Sequence, residues 1–483
     1  MRLHFIGING IGVSALARHY LSQNHQVTGS DLEPSEISRG LEKAGAKIFF
    51  GPNDKRVVNP NLKAKDRAKR PDLVIYSPAI QNQNAELKRA KQLKIKCQSY
   101  PQALGKLTKN YFTIAVCGTH GKGTTTAIIS LILIKAGLDP TVIVGTKLKE
   151  FGDSNYRPGK SQYLVIEADE YKSSFLNYWP QIIVLTTIDR DHLDYFKNLS
   201  NIIKVFKKFI RHLPKKGYLV INKNDENTRK LISNFQLLLR PRAQDRGAIS
   251  NQFSIINFQL SKSRDSKKLK KILKIPGEHI LADALAALAT ARILKIPDKI
   301  SFRALGEYRG AWRRFEITTA ELRGTTRKII IVSDYAHHPT EIEVTLKAVR
   351  EKYPRKKISC VFQPHQYQRT YHLFKDFVRV LSQAPIDKLI LIDIYSVAGR
   401  ESPTIKKKVS SKKLALAISK IQNTKYKIQD IKTLYIPTLK ETAPYLKKNL
   451  RSEEVLVVMG AGDIYQLPLL LTSPNLKGKM NNS

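Results

Sequence analysis

Residues 112–137, FTIAVCGTHGKGTTTAIISLILIKAG, pass from an apolar β-type segment through a glycine-rich turn into an apolar helical one. A strand that turns on glycine directly into a helix opens a βαβ unit, which places parallel strands beneath covering helices. The same alternation runs along the whole chain. LHFIGI, a glycine turn, a helix near Val13 to Ser22, QVTGSD and DLVIYSPAI (72–80) form a first block. YLVIEAD, QIIVLTTID and GYLVIN continue a second, closed by the helical HILADALAALATARIL (279–294). A third starts near GAWRRFEI and carries KIIIVSDYA, KISCVFQP, KLILIDIY and EVLVVMGAG. The chain has 483 residues, too many for one ordinary core. The expected fold is therefore α/β in three domains: an N-terminal Rossmann-like domain (1–108), a central P-loop ATPase-type parallel sheet (109–310) and a C-terminal Rossmann-like domain (311–483). The polar, weakly periodic stretch 230–275 reads as loop or small strands, and no internal repeat is visible.

Charge narrows the function classes. Lys and Arg number 83 against 40 Asp and Glu, a formal net charge of +43. Such an excess invites a polyanion partner. Yet it is scattered over KAKDRAKR (63–70), KVFKKF (204–209), KKLKKILK (267–274) and KKKVSSKK (406–413), without the interleaved aromatics of a single-strand platform. These runs read as solvated helix faces and loops, and no specific nucleic-acid partner is expected. Cys97, Cys117 and Cys360 lie far apart, which suggests neither a disulfide framework nor a zinc site. The N-terminus lacks a signal-peptide pattern and no apolar run is long enough for a membrane span, so a cytoplasmic protein without membrane insertion is expected. The oligomeric state is not legible.

Three kinds of motif carry chemistry. In GTHGKGTTT the backbone of Gly118, Thr119, His120 and Gly121 can cradle phosphates while Lys122 reaches their outer oxygens. The residue after the lysine usually supplies a hydroxyl to magnesium; here it is Gly123, with Thr124 and Thr125 as available substitutes. GINGIG, with Gly7, Gly10 and Gly12, follows a strand and opens a helix, a weaker anion-binding pattern. Asp31 at the end of the next strand is common in any Rossmann half. Acidic clusters then end two strands: Glu167, Asp169 and Glu170, and Asp189, Asp191, His192 and Asp194. Hard oxygens and an imidazole beside a phosphate loop suit a magnesium nucleotide. The third block gathers Arg313, Arg314, Asp334, Tyr335, His337, His338, His365 and Arg369 near strand ends, cationic and imidazole groups fit to collect anions. The two adjacent histidines point differently and could equally cap a helix.

Taken in order, GTHGK, EADE, DHLD, RRFE, YAHHPTE, FQPHQYQRT and GAGDI resemble the Mur ligase family, ATP-dependent amide-forming enzymes of peptidoglycan synthesis. The resemblance covers nearly the whole chain and is weakest at 230–275. It implies a UDP-sugar domain, an ATPase domain and an amino-acid domain, with ATP and Mg2+ as cofactors and UDP-N-acetylmuramate and L-alanine as substrates. By the same resemblance Gly7, Gly10 and Gly12 hold the UDP pyrophosphate, and Ser30, Asp31 and Ser77 line that pocket. Thr124, Glu167 and His192 are the implied metal ligands. Lys122, His192 and an arginine from Arg313 or Arg314 are the catalytic set, and Tyr335, His337, His365 and Arg369 bind the amino acid. Two departures stand out besides Gly123: Ile280 and Asp283 occupy positions where the family often has asparagine, which bears on adenine recognition. The alternatives are a recycling ligase that joins a tripeptide to the same sugar nucleotide, or a nucleotide-binding relative without catalysis.

Overall fold

The computed structural model describes residues 1–51, 70–239, 253–260, 263–397, 401, 403–422 and 430–472, and for 234–239 the backbone only. The KAKDRAKR run lies outside the described residues except for Arg70. The chain divides into two compact units, Met1–Ile188 with Ile202–Gln259 and Asp283–Leu305, and Asp189–Asn201 with Leu260–Ala282 and Gly306–Ser483.

The first unit holds two sheets. Strands β1 (Arg2–Ile6), β2 (Gln26–Asp31), β3 (Lys47–Phe50), β4 (Leu73–Tyr76) and β5 (Lys96–Ser99) pair in the order β3-β2-β1-β4-β5. All pairs are parallel. The second sheet comprises β6 (Phe112–Cys117), β7 (Thr141–Leu148), β8 (Ser154–Arg157), β9 (Tyr163–Glu167), β10 (Ile182–Leu185), β11 (Tyr218–Asn222) and β12 (Ser254–Phe258), ordered β12-β11-β10-β6-β9-β7-β8. Only β8, which returns from β7 by a short connection, is antiparallel there. In both sheets the strand beside the glycine turn is central, so the turn and its neighbours share the carboxyl edge where open α/β sheets bind ligands.

The second unit builds one sheet from β13 (Glu316–Glu321), β14 (Lys328–Asp334), β15 (Ile358–Phe362), β16 (Lys388–Leu391), β17 (Lys432–Tyr435) and β18 (Val455–Met459), ordered β13-β14-β18-β15-β16-β17. Strands β15 and β18 are buried along their whole length, which explains why ISCVF and VLVVM are apolar runs rather than alternating ones. Strand β13 pairs antiparallel with β14 at the edge and shows the half-buried, half-exposed alternation of such a strand.

The expectation of loop or small strands for 230–275 holds for β12 but not for the helices on either side of it, and residues 240–252 and 261–262 lie outside the described residues. A helix occupies Glu226–Leu239, β12 adds a parallel edge strand, and a second helix spans Arg264–Ile272. That second helix buries Ser266 and Leu269 while Lys267, Lys268 and Lys270 are exposed, a stripe too narrow to show as periodic apolarity. The helix Leu199–Ile210 has a wider one. It buries Ile202, Phe206, Phe209 and Ile210 and leaves Lys204 and Lys208 in solvent. Lys406, Lys407 and Lys408 are likewise exposed. Among the described residues no helix is long and apolar enough to cross a membrane.

Candidate active site

At the carboxyl end of β6 the chain turns through Gly118 and Gly121, both with left-handed φ (132° and 81°). A Cβ at Gly118 would collide with Thr186 Oγ1, and one at Gly121 with Asp283 Oδ1, so glycine is required on conformational and spatial grounds alike. The loop is held from the end of β10: Thr119 N donates to Thr187 O (2.8 Å) and His120 N to Thr187 Oγ1 (3.1 Å). The helix Lys122–Lys135 that follows has no side-chain cap and no acidic residue in its first turn, leaving its amino end electropositive.

Lys122 Nζ donates to Glu170 Oε2 (3.0 Å) and to the carbonyls of Gly118 (2.7 Å) and Thr119 (3.2 Å). Burial works against its charge, but Glu170, Asp169 and Glu167 outweigh it and raise the pKa, so the ammonium is retained. The three threonines after Gly123 separate by their hydroxyls. Thr125 Oγ1 donates to Asp283 Oδ1 (2.9 Å) and Thr126 Oγ1 to Lys122 O (2.8 Å). Thr124 Oγ1 makes no hydrogen bond with the described residues. Gly123 faces the end of β9, where an added Cβ would sit 3.3 Å from Glu167 Oε2. That carboxylate is fixed in turn by Gly145 N of β7 (2.7 Å).

A second glycine turn ends β1. Gly7 takes a left-handed φ of 77°, its amide and that of Ile8 donate to Ser30 O, and Gly10 caps the helix Ile11–Ser22 without a side-chain bond. Asp31 Oδ2 accepts from Asn9 N (2.8 Å) and so shapes the turn itself. Ser30 Oγ donates inward to the buried Glu86 (2.6 Å), leaving its backbone at the turn. Ser77 packs against Gly7, where an added Cβ would lie 3.0 Å from Ser77 Cβ. Gly12 packs beneath Tyr100, whose Cζ and Oη would be 2.8 Å from an added Cβ.

The second unit sorts the remaining candidates. Arg313 is buried at 5% exposure, ringed by Trp312, Tyr335 and Tyr465 at 5.0–5.4 Å, and donates to Gly460 O and Gly462 O. Its guanidinium ties the RRF turn to the GAGD turn after β18. Arg314 is half-buried and lies 4.9 Å over the Tyr335 ring. Asp334 pins the same junction, accepting from Phe315 N (2.7 Å) and Ala336 N (2.8 Å).

The two histidines indeed diverge. His338 caps the helix Pro339–Lys352, Nδ1 accepting from Thr340 N (3.3 Å) while Nε2–H donates to Arg190 O (2.9 Å), a tautomer assigned from these partners. His337 Nδ1 donates to Tyr335 O (3.0 Å), and its ring approaches that of His365 at 5.7 Å. Burial pushes His337 down to about 3 against the pull of Glu341, so the imidazole is neutral and its Nε2 is a lone-pair acceptor. His365 stacks on Tyr395 at 5.6 Å. Arg369 grips Asp191 of the DHLD turn with Nε to Oδ1 at 3.0 Å and Nη2 to Oδ2 at 3.2 Å. His192, next in the chain, has a left-handed φ of 50° and a side chain 16% exposed.

The sequence marks Glu170, Asp191 and Asp334 as strand-end acids but not what each one holds, which is Lys122, Arg369 and the RRF turn respectively, and it does not mark Tyr100 at all. The acids at strand ends were a usable signal. Tyr100 stands in no motif and offered none.

Three family descriptions match the chain in order: Mur ligase family, catalytic domain (residues 2–112), Mur ligase middle domain (116–291) and Mur ligase, glutamate ligase domain (313–462). The UDP-N-acetylmuramate–L-alanine ligase of Clostridium acetobutylicum is 38% identical over 474 residues, covering 96% of each chain. That of Clostridium kluyveri is 38% identical over 473 residues, again 96% of each. A solved UDP-N-acetylmuramate–alanine ligase from Thermotoga maritima superposes with a TM-score of 0.72 at 26% identity, covering 97% of this chain and 98% of that one. A murein peptide ligase from Psychrobacter arcticus gives 0.63 at 22% identity, covering 97% of each.

Proposed function

The chain belongs to the Mur ligase family, and on that premise we propose that it joins L-alanine to the lactyl carboxylate of UDP-N-acetylmuramate at the expense of ATP. A carboxylate is a poor acyl donor because its oxygen will not leave. Transfer of the γ-phosphoryl group to that oxygen gives an acyl phosphate and ADP. The amine of L-alanine then attacks the carbonyl, and phosphate leaves with the original carboxylate oxygen.

The roles follow the chemistry of each group. Backbone amides of Gly118–Gly121 and the Lys122 ammonium cradle the ATP phosphates, with Gly123, Thr124 and Thr125 opening the helix behind them. Thr124, Glu167 and His192 are proposed, by the family resemblance, to hold magnesium, which would neutralise phosphate charge; Thr124 and Glu167 suit that role by themselves, since Glu167 is already oriented by Gly145 N and Thr124 keeps its hydroxyl unspent among the described residues. Gly7, Gly10 and Gly12 receive the UDP pyrophosphate beside Asp31, Ser77 and the Ser30 backbone. Arg314 is the proposed charge-stabilising arginine, with Arg313 supporting it from the aromatic ring cluster. Tyr335, His337, His365 and Arg369 are assigned to the amino acid, with Arg369 acting through its grip on Asp191. The domain limits proposed are 1–108, 109–310 and 311–483, and the cytoplasm is the proposed compartment.

The observation that carries the reading is Lys122, a retained ammonium at a glycine loop beside three carboxylates. The alanine assignment draws on the full-length relatives; neither the tripeptide nor the inactive alternative has comparable support. In the test, purified protein receives UDP-N-acetylmuramate, ATP and magnesium, and phosphate is measured before and after L-alanine is added. Release that depends on L-alanine is expected; release indifferent to it would sink the assignment.

A further inference from the structure

We infer that Tyr100 is a substrate-binding residue whose hydroxyl donates a hydrogen bond to the sugar nucleotide's pyrophosphate. This rests on the reading of the first sheet as the sugar-nucleotide domain.

Four observations converge. Tyr100 begins the helix Tyr100–Thr108 directly after β5, on the same carboxyl edge as Gly7, Asp31 and Ser77. Its ring lies on the glycine turn: a side chain at Gly12 would meet Cζ and Oη at 2.8 Å. The absence of a Cβ at Gly12 is therefore what admits the phenol to the turn. The residue is half-buried, and its hydroxyl makes no hydrogen bond with the described residues, although a sheltered tyrosine hydroxyl ordinarily has a partner. Finally, beyond the burial of the ring, Glu167 and Asp169 at the end of β9 act electrostatically on the phenol and favour its protonated, hydrogen-donating form. A neutral phenol carries a donor proton at physiological pH, and a phosphate oxygen on the turn is a charged acceptor that matches it.

Tyr100→Phe retains the ring against Gly12 and deletes only the donor. The affinities of wild type and variant for UDP-N-acetylmuramate and for UDP alone are compared by calorimetry, with ATP affinity as the measure of an intact central domain. Loss of one charge-assisted hydrogen bond should weaken both uridine ligands by about tenfold or more and leave ATP unchanged. Equal affinity of variant and wild type for both ligands overturns the inference. So does a loss confined to UDP-N-acetylmuramate, which would place the hydroxyl on the muramyl portion, or a loss confined to magnesium dependence, which would place it on Glu167. If wild type binds neither uridine ligand, the reading of the first domain falls together with the inference.

Discussion

The Arg369 guanidinium holds the Asp191 carboxylate with two hydrogen bonds, 3.0 and 3.2 Å long, between side chains only 5% and 10% exposed. Burial alone would raise the Asp191 pKa, yet Arg369, His192 and His338 hold it well below the ordinary carboxylate range. Through this pair the helix Tyr367–His372 fixes the turn that presents His192. Arg369→Ala leaves a buried carboxylate without its main counter-charge, and roughly 3–5 kcal/mol of stability should go with it. A urea midpoint that does not move would show that the pair contributes nothing.

Arg313 and Arg314 should part company on substitution. Arg313→Lys removes a fork that reaches two backbone carbonyls from within three aromatic rings, so the thermal midpoint should fall by several degrees. Arg314→Lys should leave the midpoint in place and lower kcat at least tenfold. Melting curves and turnover on the same two variants decide it, and the reverse pattern contradicts the assignment.

Magnesium dependence should follow Thr124. Thr124→Ala is expected to cut turnover about tenfold and raise the magnesium concentration needed for half-activity. Adding Gly123→Thr to that variant returns a hydroxyl beside Glu167 and should restore part of the loss, since a Cβ there meets Glu167 Oε2 at 3.3 Å. Turnover by Thr124→Ala that is as magnesium-sensitive as wild type would exclude the threonine as a ligand.

His337 should make stability fall in mild acid. Its pKa is about 3 in the folded protein against 6.5 for the free side chain, so between these values the unfolded chain binds a proton that the native state refuses. Stability attributable to this residue is whole above pH 6.5 and declines toward pH 3. From pH 7 to pH 5 the wild type should lose about 2 kcal/mol more than His337→Gln. Urea titrations at the two pH values give the comparison, and parallel losses would show that the imidazole is not buried in its neutral form.

What the sequence revealed follows the reach of its signals. Parallel core strands such as β15 and β18 were legible because both faces are buried, and the glycine loops because strand, turn and helix are contiguous. Edge strands β13 and β17 were not, because half-exposed residues carry a weaker pattern. The helix Arg264–Ile272 was lost under its lysines. Lys122 was legible, but Glu170 lies 48 positions on and Asp191 lies 178 from Arg369, distances at which no local pattern links partners. Arg313 and Arg314 could not be told apart in sequence. Left-handed φ values at Arg313 and Phe315 set the turn that turns one guanidinium into the aromatic cluster.

The fate of one oxygen atom tests the acyl-phosphate chemistry most directly. UDP-N-acetylmuramate labelled with ¹⁸O in its lactyl carboxylate is turned over with ATP, magnesium and L-alanine, and the released phosphate is analysed by mass. One ¹⁸O per phosphate, in amounts that match amide formed and vanish in Lys122→Ala, is the expected result. Unlabelled phosphate accompanying amide would contradict phosphorylation of the carboxylate.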